Sequence, residues 1–312
     1  MSVPFFGARD VEAAVSAGAA YAAVREAFVA YARGEWTMQP KLYVTNYPAG
    51  DFRAMPALGG NHALLKWVTS FPGNPTRGLP TVSGLVVLSD AETGLVVALL
   101  EAGAVTALRT GAAAVLAADT LGRADAQTAA VVGAGVNGKA AARTFVALGR
   151  RVALWDVDAG RAEAAAAELG AVVADSLEEA LAADLLVTVT PGQEILLAEG
   201  SLRPGQHVSL MGADGPGKAE IAPAELARAR VFCDDWDQAS HGGELAAAVA
   251  AGALRREDVT VLGDVLIGAA PGRAGAAEIT VFDSTGLAIQ DLAIAKVALA
   301  HAGDLQLTRL EL

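Results

Sequence analysis

The middle of the chain alternates short apolar runs with alanine-rich stretches. From residue 128 onward the apolar runs read TAAVVGAG, RVALWD, AVVA, LLVTVT and HVSLMGA. Stretches with helical character separate them, among them residues 159–169 and 176–182. Short strands that alternate with helices indicate a parallel sheet joined by helical crossovers. The sequence therefore predicts an α/β region with a doubly wound parallel sheet.

The first part of the chain follows a different pattern. Apolar positions at helical spacing predict a helix over residues 9–33, which ends near Gly34. Residues 36–110 predict short strands with the sequences LYVTNY, LLKWVTSF, TVSGLVVLSD and GLVVALLE, and DAETG forms a hairpin turn between the last two. We expect a helix over residues 111–121, and then a hinge over residues 122–127 that leads into the α/β region.

The C-terminal segment LAIQDLAIAKVALAHAG also has helical character. We expect it to form an amphipathic helix that packs back onto the first part of the chain. A length of 312 residues suits two domains, because domains average roughly 150 residues. The pattern therefore predicts one mixed domain and one parallel α/β domain.

Composition excludes several classes of protein. The net charge of −12 argues against binding to nucleic acid, and the sequence has no basic stripe. Hydrophobic residues make up 53% of the chain, but no uncharged apolar run approaches the ~18 residues that a membrane-spanning helix needs. We therefore expect no membrane contact. The four histidines lack the spacing of metal ligands, so we also expect no metal site.

The cysteine content points to a reducing compartment. Cys233 is the single cysteine, which excludes an intrachain disulfide and predicts a cytoplasmic protein. Asp234 and Asp235 follow it directly and disfavour its thiolate, so we do not expect Cys233 to act as a nucleophile.

Residues 128–158 carry the most specific motif. An apolar strand runs into Gly133-x-Gly135-x-x-Gly138, and Asp156 ends the next strand, 156 − 133 = 23 residues after the first glycine. A strand, this glycine spacing, a helix and a following acid together predict a dinucleotide site, in which the acid holds a ribose 2′-hydroxyl. The same carboxylate would repel the 2′-phosphate of NADP, so NAD is favoured, with Arg161 as the residue that could reverse the preference.

Cations in an acidic chain mark candidate anion sites. Lys66 interrupts an apolar strand, so it must meet an anion or a cavity, and Arg53 precedes it in the segment GDFRAMP. Arg109 is predicted to precede a helix start, where it and Thr110 would cradle a phosphate or a carboxylate. The alternative is that Thr110 only caps that helix while Arg109 pairs with an acid.

Two loops leave their roles open. Residues 71–81 (FPGNPTRGLPT) form either a rigid turn or a wall of the substrate pocket. Asp214 lies in GADGPGKAE, directly after the apolar strand HVSLM, at the strand end where ligands bind in α/β folds. It predicts either an acid or base near the reacting atoms or a simple Asx turn.

Four segments together resemble the ornithine cyclodeaminase/mu-crystallin family: TALRTGAA, PGNPTRGLPT, GADGPGKAEI and FDSTGLAIQDLA. The resemblance covers nearly the whole chain. It implies an NAD-binding Rossmann domain over residues 119–286 and an α+β domain for substrate binding and dimerisation over residues 1–118, completed by residues 287–312. It also implies a homodimer with a small-molecule substrate.

The resemblance assigns roles residue by residue. It gives catalysis to Lys66 and Asp214, substrate binding to Lys41, Arg53 and Arg109, and cofactor binding to Arg109, Thr110, Gly133, Gly135, Val136, Asn137, Asp156, Thr190 and Ser284.

Two positions depart from the family pattern. Ornithine cyclodeaminases carry a glutamate that helps to hold the diamine where this chain has Arg53, and Arg53 with Lys66 resembles the archaeal-type alanine dehydrogenase branch. Lys41 stands where the family often has arginine, so it supplies charge without a bidentate fork. We therefore expect an NAD(H)-dependent amino-acid dehydrogenase or imine reductase that acts on a small 2-oxo or imino acid. A redox-neutral cyclodeaminase and a non-catalytic binding protein of the mu-crystallin kind are the alternatives.

Overall fold

A computed structural model describes residues 2–213, 215 and 217–312 of the chain. Its strands are β1 (Ser2–Phe6), β2 (Thr37–Met38), β3 (Leu42–Asn46), β4 (Gly50–Gly59), β5 (His62–Ser70), β6 (Val82–Asp90), β7 (Val96–Glu101), β8 (Ala129–Val132), β9 (Ala153–Trp155), β10 (Val172–Val173), β11 (Leu185–Thr188), β12 (His207–Leu210), β13 (Arg230–Cys233), β14 (Val259–Val261), β15 (Thr280–Asp283) and β16 (Thr308–Glu311).

Its α-helices are α1 (Ala8–Ala14), α2 (Ala17–Ala32), α3 (Ala102–Leu121), α4 (Val136–Ala147), α5 (Ala159–Leu169), α6 (Leu177–Leu181), α7 (Pro223–Leu226), α8 (Trp236–Gly242), α9 (Leu245–Ala250), α10 (Leu262–Leu266) and α11 (Ala288–Ala300). The chain divides into two compact units. The first comprises Met1–Arg109 and Leu287–Leu312, and the second comprises Thr110–Gly286. The assignment of substrate binding to one and NAD binding to the other stays a prediction.

The first unit is built on a mixed sheet with the strand order β16-β1-β7-β6-β5-β4-β2. Strand β3 also pairs with β4, along residues 50–54 at its N-terminal end. All neighbours are antiparallel except β1 and β7. Along β5 the side chains alternate: Leu64, Lys66 and Val68 are buried, whereas Leu65 and Trp67 are exposed. Helix α11 packs on β4 and β5 and also against α2. One face of this sheet is therefore covered within the unit.

The helices of the first part correct two expectations. The predicted helix over residues 9–33 is two helices, because the chain turns extended at Val15 and Ser16, and the Ser16 hydroxyl caps α2 by accepting from the Ala19 N–H. Helix α3 begins at Ala102, not near residue 111. The Glu101 carboxylate accepts hydrogen bonds from the N–H groups of Gly103 and Ala104 at 2.7 Å each and caps that earlier start.

Helix α11 corrects a third expectation, since it is not amphipathic. Every residue from Ala288 to Ala295 is buried, and so is Ala298. A helix whose residues are buried on all sides belongs to a core. Within the described part of the chain, α3 is the one helix whose length and composition would suffice to cross a membrane. Its most apolar window is 78% buried inside the chain, and core helices pass the same test.

The second unit contains a sheet of eight described strands in the order β10-β9-β8-β11-β12-β15-β13-β14, all parallel. The chain moves outward from β8 through β9 to β10, then returns to place β11 and β12 on the other side of β8. This reversal makes the carboxyl ends of β8 and β11 the switch point at which open α/β sheets bind ligands. The predicted fold class is confirmed, although the apolar pattern did not predict β13, β14 or β15.

Candidate active site

The glycine loop follows β8 and leads into α4. Gly133 has a φ of +102°, and a Cβ there would lie 2.7 Å from the Val189 carbonyl oxygen. A Cβ on Gly138 would overlap the carbonyl oxygen of Gly133. Only glycine therefore fits these two positions, which fix the tight turn and the close approach of α4 to the loop.

The N-terminus of α4 is open to a ligand. Gly135 caps the helix without a side chain, and nothing lies within 4 Å of the position that its Cβ would take. Val136 is exposed beside it, and Asn137 is half-buried. The first N–H groups of a helix lack partners within the helix and carry its positive dipole end. This geometry fits the pyrophosphate of a dinucleotide.

A buried hydroxyl in the same unit also lacks a partner. Thr110 Oγ1 has no hydrogen-bond partner among the residues that the structure describes. A buried polar group normally has a partner, so this hydroxyl is suited to a bound phosphate or ribose oxygen. Thr110 lies inside α3 and not at its start, which contradicts the predicted helix-terminal cradle.

Asp156 follows β9 and is tied to the glycine loop. Its Oδ2 accepts from the Ala134 N–H at 2.7 Å and its Oδ1 from the Asp158 N–H at 2.9 Å. Arg161 lies 3.3 Å from the Asp156 carboxylate and 3.5 Å from that of Asp158. The arginine that could have attracted a 2′-phosphate is thus already paired with two acids. This environment favours a ribose hydroxyl over a phosphate.

Two further predicted cofactor residues lie at carboxyl ends of parallel strands. Thr190 follows β11 and donates both its N–H and its hydroxyl to Glu220 Oε1, each at 2.7 Å. Ser284 follows β15, and its hydroxyl donates to Asp234 Oδ2 at 3.0 Å. Their places agree with the strand ends at which α/β sheets bind ligands. Their roles toward a cofactor stay predictions.

Lys66 is fully buried in the first unit and meets an acid. Its Nζ donates to Asp291 Oδ1 at 2.9 Å and to Thr106 Oγ1 at 2.6 Å, and its side chain is 1% exposed. Burial lowers the pKa of Lys66 to about 8, with Asp291 opposing the shift and Arg109 adding to it. Lys66 is thus mostly protonated at neutral pH and loses its proton as the pH rises through about 8.

Arg53 lies on the same face of the sheet as Lys66. Its neighbour two residues on, Met55, pairs directly with Lys66 across β4 and β5. The guanidinium donates Nε–H to Asp51 Oδ1 at 2.6 Å and Nη2–H to Asp51 Oδ2 at 3.2 Å, and it lies over the ring of Tyr43. Two buried contacts therefore fix the plane of the guanidinium, as a site for a planar carboxylate requires.

Arg109 and Asp291 complete this cluster. Thr106 and Arg109 lie one turn apart in α3, and Arg109 Nε is 3.6 Å from Asp291 Oδ1. Arg109 Nε and Asp291 Oδ2 are buried and have no hydrogen-bond partner in the part of the chain that the structure describes. Buried orphan atoms in a charged cluster mark a place for a polar ligand. Arg109 lies in the interior of the helix, so the predicted position before a helix start is wrong, because α3 begins earlier.

Asp291 was missed by the sequence reasoning. The signal was available, since an acid within LAIQDLAIA is as anomalous as the lysine within LLKWV. The prediction of an amphipathic helix gave no reason to expect that acid in the core. The structure instead makes Asp291 the counter-ion of Lys66.

The remaining predicted residues are less informative. Lys41 is half-buried directly before β3, and the loop over residues 71–81 is largely exposed. Asp214 lies outside the described residues. Burial raises the pKa of the Cys233 thiol well above its usual value, and Asp234 adds to this, as expected. Across residues 2–213, 215 and 217–312, no cluster of three His, Cys, Asp or Glu side chains suits a metal ion.

Comparison with known proteins identifies the family. The sequence profile of the ornithine cyclodeaminase/mu-crystallin family matches residues 5–304. The chain belongs to this family. One family relative is the alanine dehydrogenase of Archaeoglobus fulgidus, which is 41% identical over 304 residues, or 94% of this chain and 93% of the relative.

Solved structures of the family agree with the fold. An archaeal alanine dehydrogenase dimer with bound NAD superimposes with a TM-score of 0.94 and 38% identity, over 100% of this chain and 99% of the other. The iminosuccinate reductase of Paracoccus denitrificans in complex with NAD⁺ gives a TM-score of 0.90 and 30% identity over all of both chains. The expected family resemblance is confirmed.

Proposed function

We propose that this protein is an NAD(H)-dependent oxidoreductase that interconverts a small 2-oxo acid and an amino acid, or that reduces a small imino acid. The observation that carries this proposal is the buried Lys66, held by Asp291 beside Arg53 on one sheet face. The family relatives named above, an alanine dehydrogenase and an iminosuccinate reductase, support the same class of reaction.

The residues of this cluster divide the work by charge. Arg53, assisted by Lys41, would neutralise the charge of the substrate carboxylate. The contacts with Asp51 already orient its guanidinium for this. Lys66 would donate a hydrogen bond to the carbonyl or imine and stabilise the negative charge that develops there. Arg109 would add positive potential, and Asp214 would orient ammonia or water or carry a proton.

The second unit would hold the cofactor. Gly133, Gly135 and the first turn of α4 would receive the pyrophosphate, Asp156 the ribose hydroxyls, and Thr110 a phosphate or ribose oxygen. When bound, NADH supplies the hydride that adds to the substrate α-carbon. For a 2-oxo acid, the balance is one oxo acid, ammonium, NADH and a proton giving the amino acid, NAD⁺ and water.

Arg53 separates this proposal from a cyclodeaminase. A cyclodeaminase must bind a substrate with a second, distal ammonium. Arg53 stands where ornithine cyclodeaminases carry a glutamate for that group, and a buried guanidinium at this position would repel the ammonium. A binding protein of the mu-crystallin kind has no need of a buried lysine that is paired with Asp291 beside Arg109. Both observations favour net oxidation or reduction over the alternatives.

Absorbance at 340 nm tests the reaction directly. Purified protein is mixed with NADH and either pyruvate with ammonia, other 2-oxo acids with ammonia, or a cyclic imino acid alone. Loss of NADH with any of these supports the proposal and names the substrate class. Tight NADH binding without turnover on the whole panel, together with ammonia release from ornithine, would replace it with a cyclodeaminase.

We also propose a homodimer in the cytoplasm. The sheet face opposite the Lys66 cluster exposes Leu65, Trp67 and Leu85, with Trp67 directly paired to Leu85. An apolar row of this kind suits a subunit interface, and the archaeal relative is a dimer. Leu65→Asp should yield monomers in size-exclusion chromatography with light scattering, whereas Leu95→Asp, at an exposed turn, should not. The single buried cysteine is consistent with a reducing cytoplasm.

A further inference from the structure

A buried carboxylate ties together two loops at the carboxyl edge of the parallel sheet. Glu220 Oε1 accepts from the N–H and the hydroxyl of Thr190, each at 2.7 Å. Glu220 Oε2 accepts from the Thr188 hydroxyl at 2.7 Å and from the Gly212 N–H at 3.1 Å. Thr188 ends β11, and Thr190 and Gly212 lie just beyond β11 and β12. One fully buried side chain thus anchors both loops.

Glu220 is itself held from behind. Both oxygens of Glu244 lie 2.9 Å from the Glu220 N–H, and the Glu220 carbonyl accepts from the N–H groups of Leu196 and Leu197. A Cβ on Gly212 would lie 2.5 Å from the Glu220 carboxyl carbon, so the loop and the carboxylate are in close contact. The carboxylate therefore has little freedom to move independently of the two loops.

The anchored loops border the dinucleotide site. Thr190 Cγ2 lies 3.5 Å from the position that a Cβ on Gly133 would take, and the Val189 carbonyl is closer still. In a doubly wound fold, each half of the sheet receives one half of the dinucleotide. Asp156, the predicted ribose ligand, belongs to the half formed by β8, β9 and β10. The loops after β11 and β12 belong to the other half, which leaves them for the nicotinamide.

We infer that Glu220 is a positioning residue that shapes the nicotinamide half of the NAD site by fixing the loops after β11 and β12. Two of its four partners, the N–H groups of Thr190 and Gly212, can only donate, and each meets a different oxygen of Glu220, which favours a carboxylate whose two oxygens both accept. Burial raises the pKa of Glu220, and the hydrogen bonds from Thr190 and Thr188 oppose that shift. A glutamine would place an amide –NH₂ against groups that also donate.

The test is a comparison of two ligands on the variant Glu220→Gln. ADP-ribose contains the adenine half, the pyrophosphate and the second ribose, and NADH adds the nicotinamide ring to that ribose. We expect the Kd of NADH, followed by fluorescence, to rise about tenfold, while the Kd of ADP-ribose by calorimetry changes less than about twofold. NADH binding is measured without substrate, so a wrong choice of substrate does not affect the result.

Glu225→Gln is the matched control. Glu225 is equally buried in the same unit and also accepts from loop N–H groups, those of Gly200 and Leu202, which lie before β12 and not beyond it. Its loss should leave the ratio of the two Kd values unchanged, whatever it does to the melting temperature. The inference is overturned if Glu220→Gln weakens both ligands equally or neither, or if Glu225→Gln produces the same split.

A milder variant covers the case in which Glu220→Gln does not fold. Thr188→Val keeps the shape of a buried residue and removes one donor to Glu220. It should raise the Kd of NADH severalfold with no change for ADP-ribose, and an unchanged ratio would overturn the inference. Failure of the wild-type protein to bind either ligand would instead contradict the proposed use of NAD.

Discussion

The two units contain two different ways to receive an anion in a chain of net charge −12. Around Gly135 the anion would meet backbone N–H groups at a helix start, and the neighbouring Lys139 and Arg161 are paired with acids of their own. Around Lys66 it would meet side-chain cations, balanced by buried carboxylates. Backbone donors keep their polarity at any pH, whereas the cluster around Lys66 depends on protonation. The first arrangement suits the binding of a cofactor at any pH. The second suits a reaction step that depends on the protonation of Lys66.

The largest expected effect comes from removing the lysine. Lys66→Met should lower kcat/KM by about 10²–10³-fold, since a donor to the developing charge is lost. The Kd of NADH should stay unchanged, because Lys66 is not among the residues assigned to the cofactor. Lys139→Met, in α4, is the lysine control and should retain turnover. Full activity in Lys66→Met would disprove the role of Lys66.

A double variant separates chemistry from folding. Lys66→Met leaves Asp291 buried with one cation fewer, which can cost ~3–5 kcal/mol of the free energy of unfolding. Adding Asp291→Asn removes that charge and should restore much of the melting temperature without restoring turnover. Activity that returned together with stability would show that Lys66 has a structural role only.

The glycine loop should respond in the opposite way. Gly138→Ala places a methyl group against the Gly133 carbonyl, so the loop must shift, at a cost of ~1–3 kcal/mol. We expect NADH affinity to fall about tenfold or more with little change in the pH dependence of the remaining activity. Gly160→Ala is the control, because that position in α5 has only an ordinary contact and alanine favours helix there. Equal affinity in Gly138→Ala would contradict the close approach.

The pH dependence should belong to the lysine cluster. The pKa of Lys66 is lowered from 10.5 to about 8, so the active ammonium is lost as pH rises through about 8, and activity should fall there. Burying that charge costs stability below pH 8, and this cost is relieved as pH rises from 8 toward 10.5, because the unfolded chain still binds the proton. The free energy of unfolding should therefore gain from Lys66 in that window.

Asp291→Asn sharpens this prediction. The groups that face Lys66 are Asp291 from α11, Thr106 and Arg109 from α3, and Arg53 from β4. Asp291 is the one among them that raises the pKa of the lysine, so its loss should move the alkaline limb of the kcat/KM profile to lower pH by ~1 unit. An unchanged limb with reduced amplitude would show that another group titrates.

The same contrast explains what the sequence could predict. The parts of the glycine loop and Asp156 lie within one strand-helix-strand unit, so spacing alone indicates their contact. Lys66 and Asp291 are 225 residues apart, and nothing local joins them. Lys66 stands out in the sequence as a charge within an apolar strand, whereas an amphipathic helix is expected to carry charges, so the prediction of one does not mark Asp291. The sequence does not predict the start of α3 at Ala102, because the residue that caps this helix, Glu101, is also the last residue of β7.

The smallest expected effect concerns the choice of cofactor. Asp156 accepts the Ala134 N–H and holds Arg161, and its charge would repel a 2′-phosphate. Asp156→Ser removes the repulsion and frees the arginine, so the preference for NADH over NADPH should fall about tenfold, or by ~1.4 kcal/mol. The double variant Asp156→Ser/Arg161→Ala decides between the two causes. If it keeps the relaxed preference, repulsion by the carboxylate sets the choice. If the preference for NADH returns, the pairing of Arg161 with Asp156 sets the choice of cofactor. In either case, these two side chains contribute selectivity, whereas the backbone N–H groups around Gly135 would bind the pyrophosphate.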